Sequence, residues 1–204
     1  MVTISYAITA CNEHVELERL LSFLSERIRP EDEIILQLDT TATEEVMKVI
    51  GKFIKEVQYS FHPLNNDFAA FKNHLAGICK NDVIFQIDAD EYPHEWLVEN
   101  IAAVMENNPE LDVLLVPRIN TVEGLTEEHI QQWRWNVEGG RVNFPDYQWR
   151  VWRNKKGIHW INKVHERLNG FENYTNLPPV DECCLYHPKD IKRQEKQNAY
   201  YNTL

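Results

Sequence analysis

Four consecutive residues, Asp88-Ala89-Asp90-Glu91, follow directly on the apolar run VIFQI. Two carboxylates two residues apart at the carboxyl end of a strand can face one hard cation and leave positions on it open. Mg²⁺ and Mn²⁺ favour oxygen ligands and take substrate phosphates into their coordination shell. A cation held there neutralises charge that builds on a departing diphosphate. The bland alternative is an acidic turn, or negative charge favoured at a helix start just before Pro93. A bare D-x-D decides nothing. Its place at the end of a fourth strand in an alternating α/β chain is what gives it weight.

Other residues with chemical capacity gather at the same level of the chain. Thr9, Ala10, Cys11, Asn12 and Glu13 follow the first apolar strand, Asp39 ends the second, and Lys72 and Asn73 lie on the helix before the fourth. Backbone amides of the first turn can hold a nucleobase edge, Asp39 can accept from it, and Lys72 can approach a diphosphate as a point charge. Each also has an ordinary explanation: Asp39 supports its own turn, and Lys72 is a solvated helix residue. Their shared edge of one sheet lifts them above that.

Elements that could place them there are readable from periodicity. Val2–Thr9, Glu33–Asp39, Val57–Phe61, Asp82–Asp88 and Asp112–Pro117 read as strands. Residues 14–28 and 67–80 carry apolar residues at helical spacing, as does the stretch holding Val46, Val49, Ile50, Phe53 and Ile54. Thr41 and Glu44 have the spacing of a capping box for that helix, and Pro93 suits the first turn of the next. Strands alternating with helices imply right-handed βαβ units, and so a mainly parallel sheet with helices on both faces. In such sheets ligands sit at the carboxyl ends of the strands. Residues 119–170 read as irregular and aromatic-rich, with Trp133, Trp135, Phe144, Tyr147, Trp149, Trp152 and Trp160, some of which can wall an acceptor site. A polar helix closes the chain. The expected division is an alternating α/β half, residues 1–118, and an aromatic-rich half with the C-terminal helix, residues 119–204, within one domain.

Bulk properties narrow the function classes. At 204 residues and 43% hydrophobic content the chain can bury one substantial core. A net charge of −11 argues against nucleic acid as a partner. It also means that an anionic diphosphate needs a cation or a few focused basic side chains. Cys11, Cys79, Cys183 and Cys184 contain no C-x-x-C pair, and Cys183, Cys184 and His187 lack zinc-site spacing. No apolar run is long enough to span a bilayer, and the N-terminus lacks a basic flank. The expectation is a cytoplasmic protein with reduced thiols. The basic stretch Lys189, Lys192, Arg193 and Lys196 reads as a solvated helix face, a lid, or a weak peripheral membrane contact.

Read together, TACNE, LQLDTTAT, FAAFKNH and IDADE resemble the family 2 glycosyltransferases of the GT-A superfamily. The later stretch PDYQWRVWRN…GIHWINKVHERL resembles the short bacterial and phage-type members, including the lipopolysaccharide-core glucosyltransferase-like group. The likeness covers about residues 2–168 and extends to the C-terminal helix. It implies a GT-A (Rossmann-like) α/β fold with an aromatic-rich C-terminal acceptor region. It also implies a hexosyltransferase-type enzyme that moves a sugar from a nucleotide-diphosphate donor, most commonly UDP-linked, to an acceptor hydroxyl. Transfer would invert the anomeric centre with Mn²⁺ or Mg²⁺ present, and the acceptor would be a saccharide or glycolipid. A carboxylate takes the acceptor proton, and it must reach the nucleophile before its pKa matters. Asp146, ahead of an Arg, and Glu166, in V-H-E, are both candidates, Asp146 first; Pro145 stands where the family often has a second acid. By the same resemblance His165 joins Asp88 and Asp90 at the metal, and Arg150 or Arg153 clamps phosphate. Those two arginines are three apart, so a strand turns only one of them to the site.

Two further readings keep the sheet and change the activity. A nucleotidyltransferase would use the same paired carboxylates, but the first loop, TACNEHVE, has neither the glycine nor the lysine that a triphosphate loop needs. A catalytically inactive sugar-nucleotide-binding protein would keep the site without turnover.

Overall fold

The computed structural model describes residues 1–201, and side chains through residue 199. The N-terminal part runs β1 (Ile4–Ala10), α1 (His14–Ser25), β2 (Glu33–Leu38), α2 (Glu44–Lys52), β3 (Val57–Phe61), α3 (Phe68–Ile78) and β4 (Val83–Asp88). Then come β5 (Tyr92–Pro93), α4 (Glu95–Asn107), β6 (Val113–Glu123), α5 (Glu127–Trp133), β7 (Val137–Glu138) and β8 (Arg141–Arg153). The chain ends with β9 (His159–Ile161), β10 (Arg167–Asn169), β11 (Tyr174–Asn176), a 3-10 turn at Asp181–Cys183, β12 (Leu185–Asp190) and α6 (Ile191–Tyr201). The last three residues of the expected C-terminal helix, 202–204, lie outside the described residues.

The main sheet has the order β3-β2-β1-β4-β8-β6-β12-β5, with β11 beside β6 and β7 beside β8; β9 and β10 form a separate hairpin. β3, β2, β1 and β4 are parallel throughout. β8 runs antiparallel between β4 and β6. This is the mixed, mainly parallel GT-A architecture. Strand alternation builds a core on each face. Ile4, Tyr6 and Ile8 of β1 and Leu36 and Leu38 of β2 pack against Leu17, Leu20 and Leu24 of α1, with α2 and α4 on the same side. Ala7, Ile35 and Ile84 point the other way, toward Ala69 and Leu75 of α3 and the edge-to-face pair Trp152 and Trp160.

Three local expectations are corrected. α2 is capped by Thr43, whose side chain accepts from the Val46 amide, and not by Thr41. Thr41 is taken by Asp39, which accepts from its amide at 2.8 Å and from its hydroxyl, so the helix starts two residues later. Pro93 lies in β5 opposite Leu185, at an edge where its missing N–H costs nothing; α4 begins at Glu95, behind His94. The irregular stretch expected after residue 118 contains β8, thirteen residues in the middle of the sheet. Toward the cavity it presents Asp146, Gln148 and Arg150, while Val151 and Trp152 enter the core. Apolar periodicity cannot reveal a strand buried by ion pairs.

Candidate active site

A cavity of about 1220 Å³ opens at the carboxyl ends of β1, β2 and β4 and continues along the polar faces of β6, β8 and β12. The pleat explains who lines it. Thr9 on β1 and Asp88 on β4 are register partners, and the Thr9 hydroxyl donates to Asp88 Oδ1 at 3.0 Å. Asp39, just past β2, is 8% exposed. Its Oδ2 accepts from the Leu64 amide at 2.6 Å, which ties the loop after β2 to the loop after β3. Burial pushes the Asp39 carboxyl up, but the Thr41 and Leu64 donors outweigh it and hold the group below the ordinary carboxylate range. In the first turn the amides of Cys11 and Asn12 both donate to Glu13 Oε2, at 2.8 and 3.0 Å. Thr9, Ala10, Cys11, Glu13 and Asp39 line the cavity; Asn12 is not brought to its wall.

Lys72 and Asn73 diverge although adjacent. The Lys72 ammonium, 5% exposed, reaches Glu166 Oε1 at 2.5 Å and lies 3.8 Å from Asp88 Oδ1, over the Trp160 ring. Asn73 turns to β9 instead, exchanging hydrogen bonds with the Trp160 carbonyl and amide at 2.8 and 2.7 Å. It fastens the β9–β10 hairpin to α3. That hairpin leads the chain past His165, a cavity-lining residue with a left-handed backbone (φ 52°).

The centre of the site is a buried charge cluster. Arg150, 2% exposed, donates from Nη2 to Asp88 Oδ2 and to Glu91 Oε1, both at 2.6 Å. Glu91 is fully buried, and its Oε1 also accepts from Arg118 Nη1 at 2.7 Å. Arg118 then forks onto Asp146 Oδ2 through Nε and Nη2, at 3.0 and 2.8 Å. Arg153 faces away: its guanidinium caps carbonyls of Met105, Asn108 and Leu111 at the end of α4. Burial alone would raise the Asp88 carboxyl, but the charges of Arg150 and Lys72 reverse that and hold it well below the usual range. Asp146 behaves alike: burial raises it, and Arg118, Asn120 and Gln148 together bring it below its ordinary value.

On the opposite side of the D-A-D turn, Asp90 Oδ2 meets His187 Nε2 at 3.1 Å and Arg193 Nη2 of α6 at 3.2 Å. Burial is again the largest influence on Asp90, overturned by the hydrogen bond and charge of His187, so that carboxyl too lies well below the usual range. Lys189 on β12 is pushed down to about 8, first by desolvation, with Arg118 and Arg193 adding to it against the pull of Asp90 and Glu91. Arg193 also binds Glu16 Oε1 at 2.6 Å, so α6 is pinned to α1 across the cavity mouth.

A divalent cation fits part of this arrangement. Asp88 has both oxygens engaged, one by Arg150 and one by Thr9 with Lys72 close behind. Asp90 Oδ2 is met by His187 Nε2 and Arg193 Nη2, so a cation beside Asp90 and His187 would have to displace that pairing or use the other carboxylate oxygen. Among the described residues no three His, Cys, Asp or Glu side chains converge as a metal set. Asp88, Asp90 and His165 therefore line one cavity without forming a closed three-ligand group. A cation at Asp90 and His187 would need phosphate oxygens to complete its shell.

Glu91, Arg118, Asn120 and Lys189 were not singled out as site residues in the sequence, and His187 carried no assigned role. Glu91 stood inside the quoted D-A-D-E. Arg118 and Asn120 had a faint signal: charged and amide residues two apart, interrupting the strand run VLLVPRIN.

Comparison with known proteins bears directly on this site. The model of the family described as glycosyl transferase family 2 matches residues 5–193. The chain belongs to that family. Comparison with curated protein sequences gives no match. Among solved structures, S. aureus TarS 1–349 aligns with a TM-score of 0.63 at 14% identity, over 92% of this chain and 60% of that one. The same TarS fragment in complex with UDP-GlcNAc gives 0.64 at 14% identity, over 93% and 59%. The longer TarS structure gives 0.62, and this chain spans 37% of it. At such identity the likeness is one of fold. Among the described residues no helix of the chain is long and apolar enough to cross a membrane.

Proposed function

We propose that this family 2 transferase moves a sugar from a UDP-sugar to a hydroxyl of a saccharide or glycolipid acceptor, with inversion, assisted by Mn²⁺ or Mg²⁺. The observation that carries the reading is a single cavity with the D-A-D carboxylates at one side and Asp146 at the other. A nucleotide diphosphate is the ligand bound in two of the TarS structures, as UDP-GlcNAc and as UDP. In this reading residues 1–118 supply the nucleotide side. Asp39 holds the two loops that enclose the base, and Lys72 meets the diphosphate. Asp90 and His187 would hold the cation, which when bound would neutralise charge on the leaving diphosphate.

Asp146 is the proposed base. The acceptor oxygen forms its bond to the anomeric carbon as the bond from that carbon to the phosphate oxygen breaks, and the hydroxyl proton passes to Asp146. Its Oδ2 is fixed by Arg118 and Asn120, while Oδ1 accepts from the neutral amide of Gln148 at 2.6 Å. One oxygen positions the group and the other is open to exchange. Glu166 is bound to the Lys72 ammonium on the donor side, which suits it to setting that lysine. The four thiols form no disulfide, which suits the reducing cytoplasm.

A thermal-shift panel of UDP, UDP-GlcNAc, UDP-glucose and a GDP-sugar, each with and without Mn²⁺, tests the reading. A true donor at 100 times its Kd stabilises the fold by about 2.7 kcal/mol. Mn²⁺-dependent stabilisation followed by UDP release is the expected result. No response to any uridine nucleotide would overturn it, and binding without turnover in every metal would favour an inactive binding protein.

A further inference from the structure

Asn120 lies at mid-strand on β6, next to nothing the reaction obviously needs, yet both ends of its amide are used. Its Nδ2 donates to Asp146 Oδ2 at 2.8 Å, and its Oδ1 lies 2.8 Å from His187 Nδ1. These contacts settle each other's polarity. An ionised carboxylate only accepts, so the NH₂ of Asn120 must face Asp146 and its oxygen must face His187. That oxygen can only accept in turn, which places a proton on His187 Nδ1. Nε2 is then the ring nitrogen that faces Asp90 Oδ2, 3.1 Å away. One amide thereby fixes which edge of the histidine faces Asp90 and anchors the carboxylate on the acceptor side.

A second, ionic arm joins the same two ends. It runs from Asp88 through Arg150, Glu91 and Arg118 to Asp146, with contacts of 2.6, 2.6, 2.7 and 2.8 Å. Together the arms close a ring around the D-A-D turn, and Asn120 is the uncharged link in it.

We propose that Asn120 is a positioning residue that joins the two sides of the site, holding Asp146 in place while orienting His187 so that Nε2, the nitrogen that could ligate a cation, faces Asp90. The proposal rests on the transfer reading above. It assigns Asn120 no contact with substrate.

Outer partners of a metal-bound histidine set its tautomer and orientation, and losing one costs about 10- to 100-fold in metal affinity. The test is an electron paramagnetic resonance titration of Mn²⁺ in the presence of UDP, on the wild type, Asn120→Ala and Asn120→Ser, with thermal melts confirming that the chains fold. Asn120→Ala is expected to weaken Mn²⁺ binding by about tenfold or more. It should also lower kcat for UDP release from UDP-GlcNAc by about 10- to 100-fold through misplacement of Asp146. Asn120→Ser, which keeps a short donor, is expected to recover part of both. In a cycle with Asp146→Asn, the double variant should be no slower than Asp146→Asn alone. Wild-type Mn²⁺ affinity in folded Asn120→Ala, or fully multiplicative rate losses in the cycle, would overturn the proposal. A wild-type chain that binds no Mn²⁺ with UDP would instead strike the cation reading, and an unaffected kcat in Asp146→Asn would strike the base assignment.

Discussion

The region of β1 to β4 and the region of β6, β8 and β12 build their halves of one cavity by different means. In the first, chemistry sits where strands stop. Asp39 follows β2, Asp88 ends β4, and Asp90 and Glu91 occupy the turn beyond. Parallel strands all end at the same edge, so their terminal residues collect there with no help from side-chain alternation. In the second, chemistry sits in mid-strand. Arg118 and Asn120 are two apart on β6, and Asp146, Gln148 and Arg150 occupy alternate positions on β8, so the pleat turns each set to one face. Strand ends leave backbone and loops free to enclose a nucleotide. Long antiparallel strands fix side chains rigidly, which suits groups that must hold a carboxylate in register.

The largest effect expected from this contrast belongs to the strand-end region. Asp90→Ala removes the carboxylate paired with His187, and a lost cation site is worth several kcal/mol, about a 1000-fold drop in kcat for UDP release with Mn²⁺. Wild-type Mn²⁺-dependent rates in that variant would break the assignment of the donor side. Next in size is the mid-strand region. Asp146→Asn should lose about 10²- to 10⁴-fold in kcat while UDP still stabilises the fold, as removal of a general base does. Glu166→Gln should act chiefly on donor KM. If the two variants exchange these behaviours, the base lies on the V-H-E loop and the contrast fails.

Two smaller effects concern stability. Lys189 has its folded pKa depressed to about 8, against about 10.4 when unfolded. Below pH 8 the folded chain carries a charged amine in a desolvating site, so the residue costs stability there. Between about pH 8 and 10.4 the unfolded state binds the extra proton, and the cost fades as pH rises. Lys189→Met should therefore raise the melting temperature at pH 7 and gain progressively less toward pH 10; a gain independent of pH would mean the amine is not desolvated. Gln86, fully buried on β4, has no partner for either amide atom among the described residues. Gln86→Met should be neutral or stabilising by about 1 kcal/mol in urea unfolding, because an unpaired buried amide is a net cost. A clear destabilisation would show that Gln86 has a partner in solution.

What could be read without coordinates follows from the same contrast. The βα alternation up to residue 88, the D-A-D turn and the cavity edge were visible because apolar periodicity and strand ends leave a local signature. Asn73 was misread because its neighbour Lys72 does line the cavity, and sequence adjacency does not say which way a helix turns. β8 escaped because its cavity-facing residues Asp146, Gln148 and Arg150 are polar. Their burial depends on partners 26 to 62 residues away, such as Asn120 for Asp146 and Asp88 for Arg150.

The sequence by itself determined the alternating fold, the family and the place of the D-A-D carboxylates, since each depends on spacing within one or two elements. Only tertiary structure decided that Glu91 joins two arginines, that Asn120 faces both Asp146 and His187, and that Asp88 is already held by Arg150. These are pairings between distant strands. Which charge meets which is set by sheet order and register, and neither is written in any local stretch of residues.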